Sequence, residues 1–377
     1  MMPTREKSYY PYFDYLRFIL VTIVMLAHDD LLTWNYSGKL AVDVFFALSG
    51  WLIGGILIRT DSKDLSRFYF NRALRIWIPY YIAFTLILVV SLLKDPINQK
   101  WFEFVIYKIT WVYNYFGPPQ LEAFREAMPL DATGNHFWSV NAEEQFYLLA
   151  PLFLVVFAKI GRRIMTWLLI VAFFWYMWVY APISLGVLAA VIDSKYPGFY
   201  AKRITRVLLL VTLLGMTSGF AFTGDYKLYA PLFSISVVLL LAVKGNRQPA
   251  GSFLGGISYP LYLNHWIGVF FFNLVLEPFG LRESGIRNIL AAVMNYGIAA
   301  FLYWFIERKV LSMREKLYSA GRGVVFTCLA YISIVTGFIF GFVLVPSVKT
   351  GIVWFVFLAT ASIVIAVVLK NHSKNNG

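Results

Sequence analysis

The sequence contains little cysteine and little charge. Cys328 is the single cysteine in 377 residues, so an intrachain disulfide and a zinc site built from paired cysteines are both excluded. Charged residues make up only 14% of the chain and hydrophobic residues 59%, whereas soluble domains carry about 25% charged residues. This composition predicts an all-α, polytopic bundle of membrane helices, because helices satisfy their own backbone hydrogen bonds in lipid.

The sequence also lacks the common motifs of cofactor and nucleotide chemistry. It contains no HExxH pattern, no P-loop, no GxSxG elbow and no dinucleotide fingerprint. Histidines and acidic residues do not occur at metal-ligand spacing, so we expect no metal site.

Apolar segments predict about twelve transmembrane helices, with both termini in the cytoplasm. The segment 101–116 is apolar as well, and we interpret it as an external interfacial or re-entrant segment. Between 164 and 194 the chain is short for two spans, and Pro182 favours a tight hairpin there. The predicted spans lie near 12–33, 40–58, 76–93, 137–158, 164–180, 182–194, 207–223, 228–243, 252–275, 288–306, 324–345 and 351–369.

The net charge of +13 is distributed as expected for a membrane protein. With the N-terminus inside, 23 of the 33 Lys and Arg residues fall in predicted cytoplasmic segments and nine in external ones. This is the positive-inside bias, and it argues against nucleic acid as a partner. The last two spans carry almost no polar residues, so we interpret 311–377 as a cytoplasmic loop, an accessory pair of spans and a short tail.

Two ionisable residues lie inside the first predicted span. Arg17 and His28 are eleven positions apart, which places them on one helical face about 16 Å apart along the axis. Ionisable residues inside a span are costly and usually functional. Arg17 could contact an anionic ligand, line a tunnel, snorkel to the surface or pair with Asp14.

His28 is the strongest candidate for acid–base chemistry. A neutral imidazole can take a proton from a hydroxyl and later return it. A nearby carboxylate would orient the ring, and Asp43, Asp29 and Asp30 are the candidates. A structural histidine at the membrane interface is the alternative.

The second and third spans contribute small residues and an arginine pair. Ser49 lies among glycines whose spacing suits close helix packing. The alternative is that these small residues clear space for a threaded chain. Arg72 and Arg75 are three apart on one helical face. They could clamp phosphate groups, because guanidinium forks match phosphate oxygens; ordinary cytoplasmic anchoring is the alternative.

Further polar residues lie in the predicted fourth and ninth spans. Glu143 and Glu144 are adjacent, so only one of them can face a given side of the helix. It could pair with a cation, bind a substrate hydroxyl or fix helix packing. His265 lies near mid-membrane beside Asn264, where a polar hydrogen bond between helices is the simplest interpretation.

These segments, taken together and in order, resemble the acyltransferase 3 family of membrane O-acyltransferases. The resemblance covers roughly residues 10–310. Departures are small: Trp51 stands where the family usually has Phe, and Asn141 and Ala142 replace more common residues. The matching pieces are Arg17 and His28 with ten residues between them, VDVFFALSGWLI at 42–53, RALR at 72–75, FWSVNAEEQFY at 137–147 and ISYPLYLNHW at 257–266.

The resemblance implies a ten-span acyltransferase domain over 1–310 in a multi-pass protein of the inner cell membrane. It implies transfer of an acyl group, usually acetyl, from cytoplasmic acyl-CoA to a hydroxyl of an extracytoplasmic carbohydrate. In this family acyl-CoA is the donor substrate, and we expect no permanently bound cofactor. His28 matches the essential histidine, Arg17 its companion, and Glu143 the glutamate after the WS dipeptide; Arg72 and Arg75 match the cytoplasmic arginine pair.

These roles combine into one hypothesis. The arginine pair holds the CoA phosphates, the pantetheine arm threads between spans, and His28 acts as general base, with an acyl-histidine intermediate as the variant mechanism. Ser49 and Trp138 complete the residues predicted to contact the donor, while Asp43 is predicted to assist His28. The sequence leaves open the acyl group, the acceptor glycan and the oligomeric state. A transporter or flippase for a glycan or lipid-linked substrate is the alternative function.

Overall fold

The computed structural model describes residues 9–177 and 180–376 of the chain. Helix accounts for 83% of the protein, and the described residues contain no strand, which confirms the all-α prediction. The α-helices are α1 (Tyr12–His28), α2 (Ser37–Leu57), α3 (Leu65–Lys94), α4 (Gln99–Ile109), α5 (Tyr113–Phe116), α6 (Leu121–Phe124), α7 (Phe137–Pro151), α8 (Ala158–Gly161), α9 (Ile164–Met177), α10 (Ala181–Lys195), α11 (Arg203–Phe222), α12 (Tyr226–Leu241), α13 (Pro249–Asn264), α14 (Trp266–Leu276), α15 (Gly285–Leu302), α16 (Arg308–Leu317), α17 (Ala320–Leu344) and α18 (Val348–Asn376).

Six helical segments of the described chain are long and apolar enough to cross a membrane. Three shorter apolar helices accompany them, so the chain is a multi-pass membrane protein. The count of twelve spans and the cytoplasmic termini stay predictions; positions 178–179 of the predicted span 164–180 lie outside the described residues. The six segments are Ser37–Leu57, Ser62–Lys94, Arg203–Phe222, Gly285–Leu317, Ala320–Leu344 and Gly351–Lys374.

The chain divides into two compact units, each discontinuous in sequence. Unit 1 contains Met1–Ile58 and Arg162–Tyr303. Within it α1 packs against α2 and α13, and α2 packs against α10. The α2–α10 crossing is close: a Cβ added to Gly50 would lie 2.0 Å from the carbonyl oxygen of Ile183. The small residues of α2 therefore serve close helix packing.

Two predicted spans of unit 1 end or break earlier than their hydropathy suggests. The first was expected to continue to residue 33, but α1 ends at His28, and Asp30 adopts a positive φ of 56°. The ninth was expected to be continuous over 252–275, but it breaks at His265 between α13 and α14. Both histidines therefore lie at helix ends.

Unit 2 contains Arg59–Gly161 and Trp304–Gly377. Here α3 packs against α16 and α17, and α17 packs against α18. Helix α4 has eleven residues and is about 16 Å long, too short to cross the ~30 Å hydrocarbon core alone. This length agrees with an interfacial or re-entrant segment over 101–116. The division of the chain at residue 310 stays a prediction.

Candidate active site

Two imidazoles lie edge to edge at the end of α1. Nδ1 of His28 is 3.0 Å from Nε2 of His265, with ring centres 5.1 Å apart and ring planes within 5° of each other. The two nitrogens are closer together than the ring centres by about two ring radii. The rings therefore lie side by side in nearly one plane and not face to face. This arrangement suits a nearly linear N–H···N hydrogen bond.

The two members of this histidine pair differ in exposure. His28 is exposed, whereas His265 is only 3% exposed. Asp30 lies close enough to His28 for an electrostatic interaction. The sequence suggested an interhelical hydrogen bond for His265 but not its partner, since the two histidines are 237 positions apart.

Asp43, the carboxylate predicted to assist His28, is engaged by a tyrosine. The Tyr226 hydroxyl donates a hydrogen bond to Oδ2 of Asp43, and the Lys39 ammonium lies 4.9 Å from the centre of the Tyr226 ring. Nδ1 of His28 lies against the imidazole of His265. A direct role of Asp43 toward His28 stays a prediction.

Arg17 is paired within its own helix. Its Nη1 lies 3.0 Å from Oδ1 of Asp14, and the two side chains are 22% and 13% exposed. The Tyr9 hydroxyl also donates to Asp14. The structure thus shows the local ion pair that the sequence offered as one alternative. Ser49 lies half-buried on α2, beside the glycine that contacts α10.

The predicted arginine pair lies in unit 2, on α3. The guanidinium of Arg72 is 5.1 Å from the centre of the Tyr147 ring, and Glu143 and Glu144 interact with it electrostatically. Arg75 is exposed. The two arginines therefore differ: Arg72 faces acidic α7, and Arg75 is accessible to an anionic ligand.

The structure distinguishes the two adjacent glutamates of α7. Glu144 is 3% exposed, and its Oε1 accepts a hydrogen bond of 2.9 Å from the Trp77 indole. Glu143 is half-buried and accepts from the Tyr147 hydroxyl. Glu144 is thus the glutamate that faces the core, although the family pattern selected Glu143. Trp138 lies half-buried near the start of the same helix.

Sequence reasoning overlooked several buried ionisable residues of unit 2, among them Glu307 and Lys108. Glu307 is 8% exposed at the end of a π-helix over Tyr303–Glu307, and Arg75 interacts with it electrostatically. Lys108 is 1% exposed on α4 and donates to the carbonyl of Thr133 at 3.1 Å. Burial lowers the pKa of Lys108 to about 7. The π-helix marks Glu307 in the structure, since such bulges are frequent at functional sites, but nothing in the sequence indicates it.

Comparison with known proteins identifies related chains. A family model described as an acyltransferase domain matches residues 10–371. The peptidoglycan O-acetyltransferase OatA of Listeria monocytogenes is 29% identical over 357 residues, covering 81% of this chain and 56% of the relative. The O-acetyltransferase OatA of Staphylococcus aureus is 27% identical over 389 residues, covering 84% of this chain and 59% of the relative.

The chain thus spans little more than half the length of these curated relatives. No solved structure matches it.

Proposed function

The chain belongs to the acyltransferase 3 family, and we propose that it is a membrane O-acetyltransferase that moves acetyl from cytoplasmic acetyl-CoA to a hydroxyl of an extracytoplasmic glycan. The observation that carries the proposal is the exposed imidazole of His28, held at a helix end by a second imidazole. The name of the Listeria monocytogenes relative favours peptidoglycan as the acceptor.

In the proposed reaction His28 is the general base. Its imidazole takes the proton of the acceptor hydroxyl while the oxygen attacks the thioester carbonyl carbon. The C–S bond then breaks, and the CoA thiolate leaves and recovers the proton from His28. Because His28 occupies the last turn of α1, the negative end of the helix dipole favours the imidazolium that forms in between.

The arginine pair is the proposed contact for the phosphates of the donor. Arg75 is exposed and can form a forked pair of hydrogen bonds with a phosphate. Arg72 is oriented by Tyr147 and by the neighbouring glutamates, so it contributes a fixed positive charge. Ser49 and Trp138 stay in the proposal as contacts of the acyl-bearing arm.

Mass spectrometry of envelope glycans from cells with and without the chain tests the proposal. We expect sugars heavier by one acetyl group only when the chain is present, and no such sugars when it carries His28→Gln. A matched variant, His372→Gln, changes a histidine of α18 in unit 2 and should leave the modification intact. Glycans of identical mass in both strains would contradict the proposal, as would glycan that is exported without modification.

A further inference from the structure

The helix break at His265 is held by one side chain. Asn295 of α15, which is 1% exposed, donates from Nδ2 to the carbonyl oxygen of His265 at 2.5 Å. Its Oδ1 accepts from the backbone N–H of Gly268 at 2.8 Å. Backbone groups freed by a break inside a membrane helix require such partners, so the break is a fixed feature and the imidazole at it is well positioned.

The contacts of His265 determine which of its nitrogens carries hydrogen. Nδ1 lies 2.9 Å from the carbonyl oxygen of Tyr262, and a carbonyl can only accept, so Nδ1 is the donor. The ring is 3% exposed, and burial disfavours its charged form. A neutral imidazole has one N–H, which leaves Nε2 of His265 with a lone pair.

This lone pair determines the tautomer of His28. Nε2 of His265 can only accept, so Nδ1 of His28, 3.0 Å away, must donate. In neutral His28 the basic nitrogen is then Nε2. We propose that His265 is a positioning residue that holds His28 in the Nδ1–H tautomer, so that Nε2 of His28 is the atom that takes the proton of the acceptor hydroxyl. This inference rests on the proposed function.

The same contact serves the reaction after the proton has moved. When Nε2 of His28 is protonated, the Nδ1–H becomes part of an imidazolium, and its hydrogen bond to His265 becomes charge-assisted and stronger. The stabilisation requires no movement of either ring. His265 therefore acts on the rate of the chemical step rather than on substrate binding.

Two replacements of His265 test whether its role requires a hydrogen-bond acceptor or only a side chain of similar size. His265→Gln offers an amide oxygen that can accept from His28, and His265→Met has a similar unbranched length without a strong acceptor. Both retain the backbone carbonyl that Asn295 binds. Initial rates of acetyl transfer from labelled acetyl-CoA to muropeptides, in liposomes containing the purified full chain, give kcat and both KM values.

We expect His265→Met to lower kcat by about 100-fold, the scale of lost general-base catalysis, with both KM values within about twofold of wild type. His265→Gln should have a kcat about tenfold above that of His265→Met. Equal kcat values for the two variants, or a loss confined to KM, would overturn the inference.

The outcome for His28 keeps the two proposals distinct. If His28→Gln is inactive while His265→Met keeps wild-type kcat, only the positioning role fails. If His28→Gln retains wild-type kcat, the proposed function of His28 itself fails.

Discussion

The indole Nε1 of Trp77 donates a hydrogen bond of 2.9 Å to Oε1 of Glu144. The contact joins α3, which carries the arginine pair, to α7, and the buried carboxylate interacts electrostatically with Arg72. Because Glu144 is 3% exposed and Glu143 is half-buried, the two neighbouring glutamates differ in what their loss should cost.

Glu144→Ala should lower the thermal unfolding midpoint in detergent more than Glu143→Ala does. The first change leaves the Trp77 N–H without its acceptor, which costs roughly 1–3 kcal/mol for the unsatisfied donor, and it removes a carboxylate that interacts electrostatically with Arg72. Glu143→Ala removes the acceptor of the Tyr147 hydroxyl at a half-buried position, where the loss should cost less. Equal midpoints for the two variants would show that burial does not distinguish these residues.

Arg75→Gln should raise the KM for acetyl-CoA by about tenfold, the effect of losing one charge-assisted hydrogen bond to phosphate. The KM for the glycan should stay unchanged. Arg67→Gln is the matched control, since Arg67 lies on the same helix in an exposed ion pair with Glu315, and such pairs contribute little. A similar rise in donor KM for both variants would assign the effect to general surface charge.

Gly50→Ala should destabilise the protein, because the new Cβ would lie 2.0 Å from the carbonyl oxygen of Ile183. Overpacking of this kind costs about 1–3 kcal/mol. Gly297→Ala is the control: no atom outside its own helix backbone lies within 4 Å of the added Cβ, and replacing a mid-helix glycine by alanine stabilises by roughly 0.5–1 kcal/mol. Opposite shifts of the unfolding midpoint are expected, and shifts of the same sign would contradict the close crossing.

Lys108 should make stability depend on pH. Its pKa is about 7 in the folded protein and 10.5 as the unperturbed value. Between these values the unfolded chain binds more protons, so the free energy of unfolding rises with pH over this window. Among the described residues no carboxylate pairs with its Nζ.

Lys108→Met removes this titration. The difference in unfolding midpoint between the variant and wild type should therefore favour the variant most at pH 6 and shrink at pH 9. Differential scanning fluorimetry at the two pH values measures it. A difference that is the same at both would mean that Lys108 keeps its charge when buried.

Composition was sufficient to predict the helical membrane class, and the ordered motifs were sufficient to identify the family, which the family model confirms. Helix ends were less predictable. The apolar pattern continues to residue 33, but α1 ends at His28, and Asp30 adopts a positive φ just after it. The apolar pattern also continues through His265, but the helix breaks there, and the amide of Asn295 supports the break. A partner 30 residues away leaves no local trace in an apolar segment.

The site was predictable in its residues but not in its pairings. Catalytic chemistry pointed to His28, and a carboxylate was the expected partner because carboxylates commonly orient imidazoles. The structure places His265 against His28, a pairing that could not be predicted from one sequence, and it also places Asp30 close enough to His28 for an electrostatic interaction. Likewise, adjacency showed that one of Glu143 and Glu144 faces the core, but which one depends on the placement of Trp77 on another helix.

The central claim is that His28 catalyses acetyl transfer to a glycan on the far side of the membrane. The most direct test uses liposomes containing the purified full chain, with labelled acetyl-CoA supplied on one side only and muropeptides on the other. Label should appear in the muropeptides with wild type, and none above background with His28→Gln of equal folded yield. Equal labelling by both proteins, or muropeptides carried across without label, would contradict it.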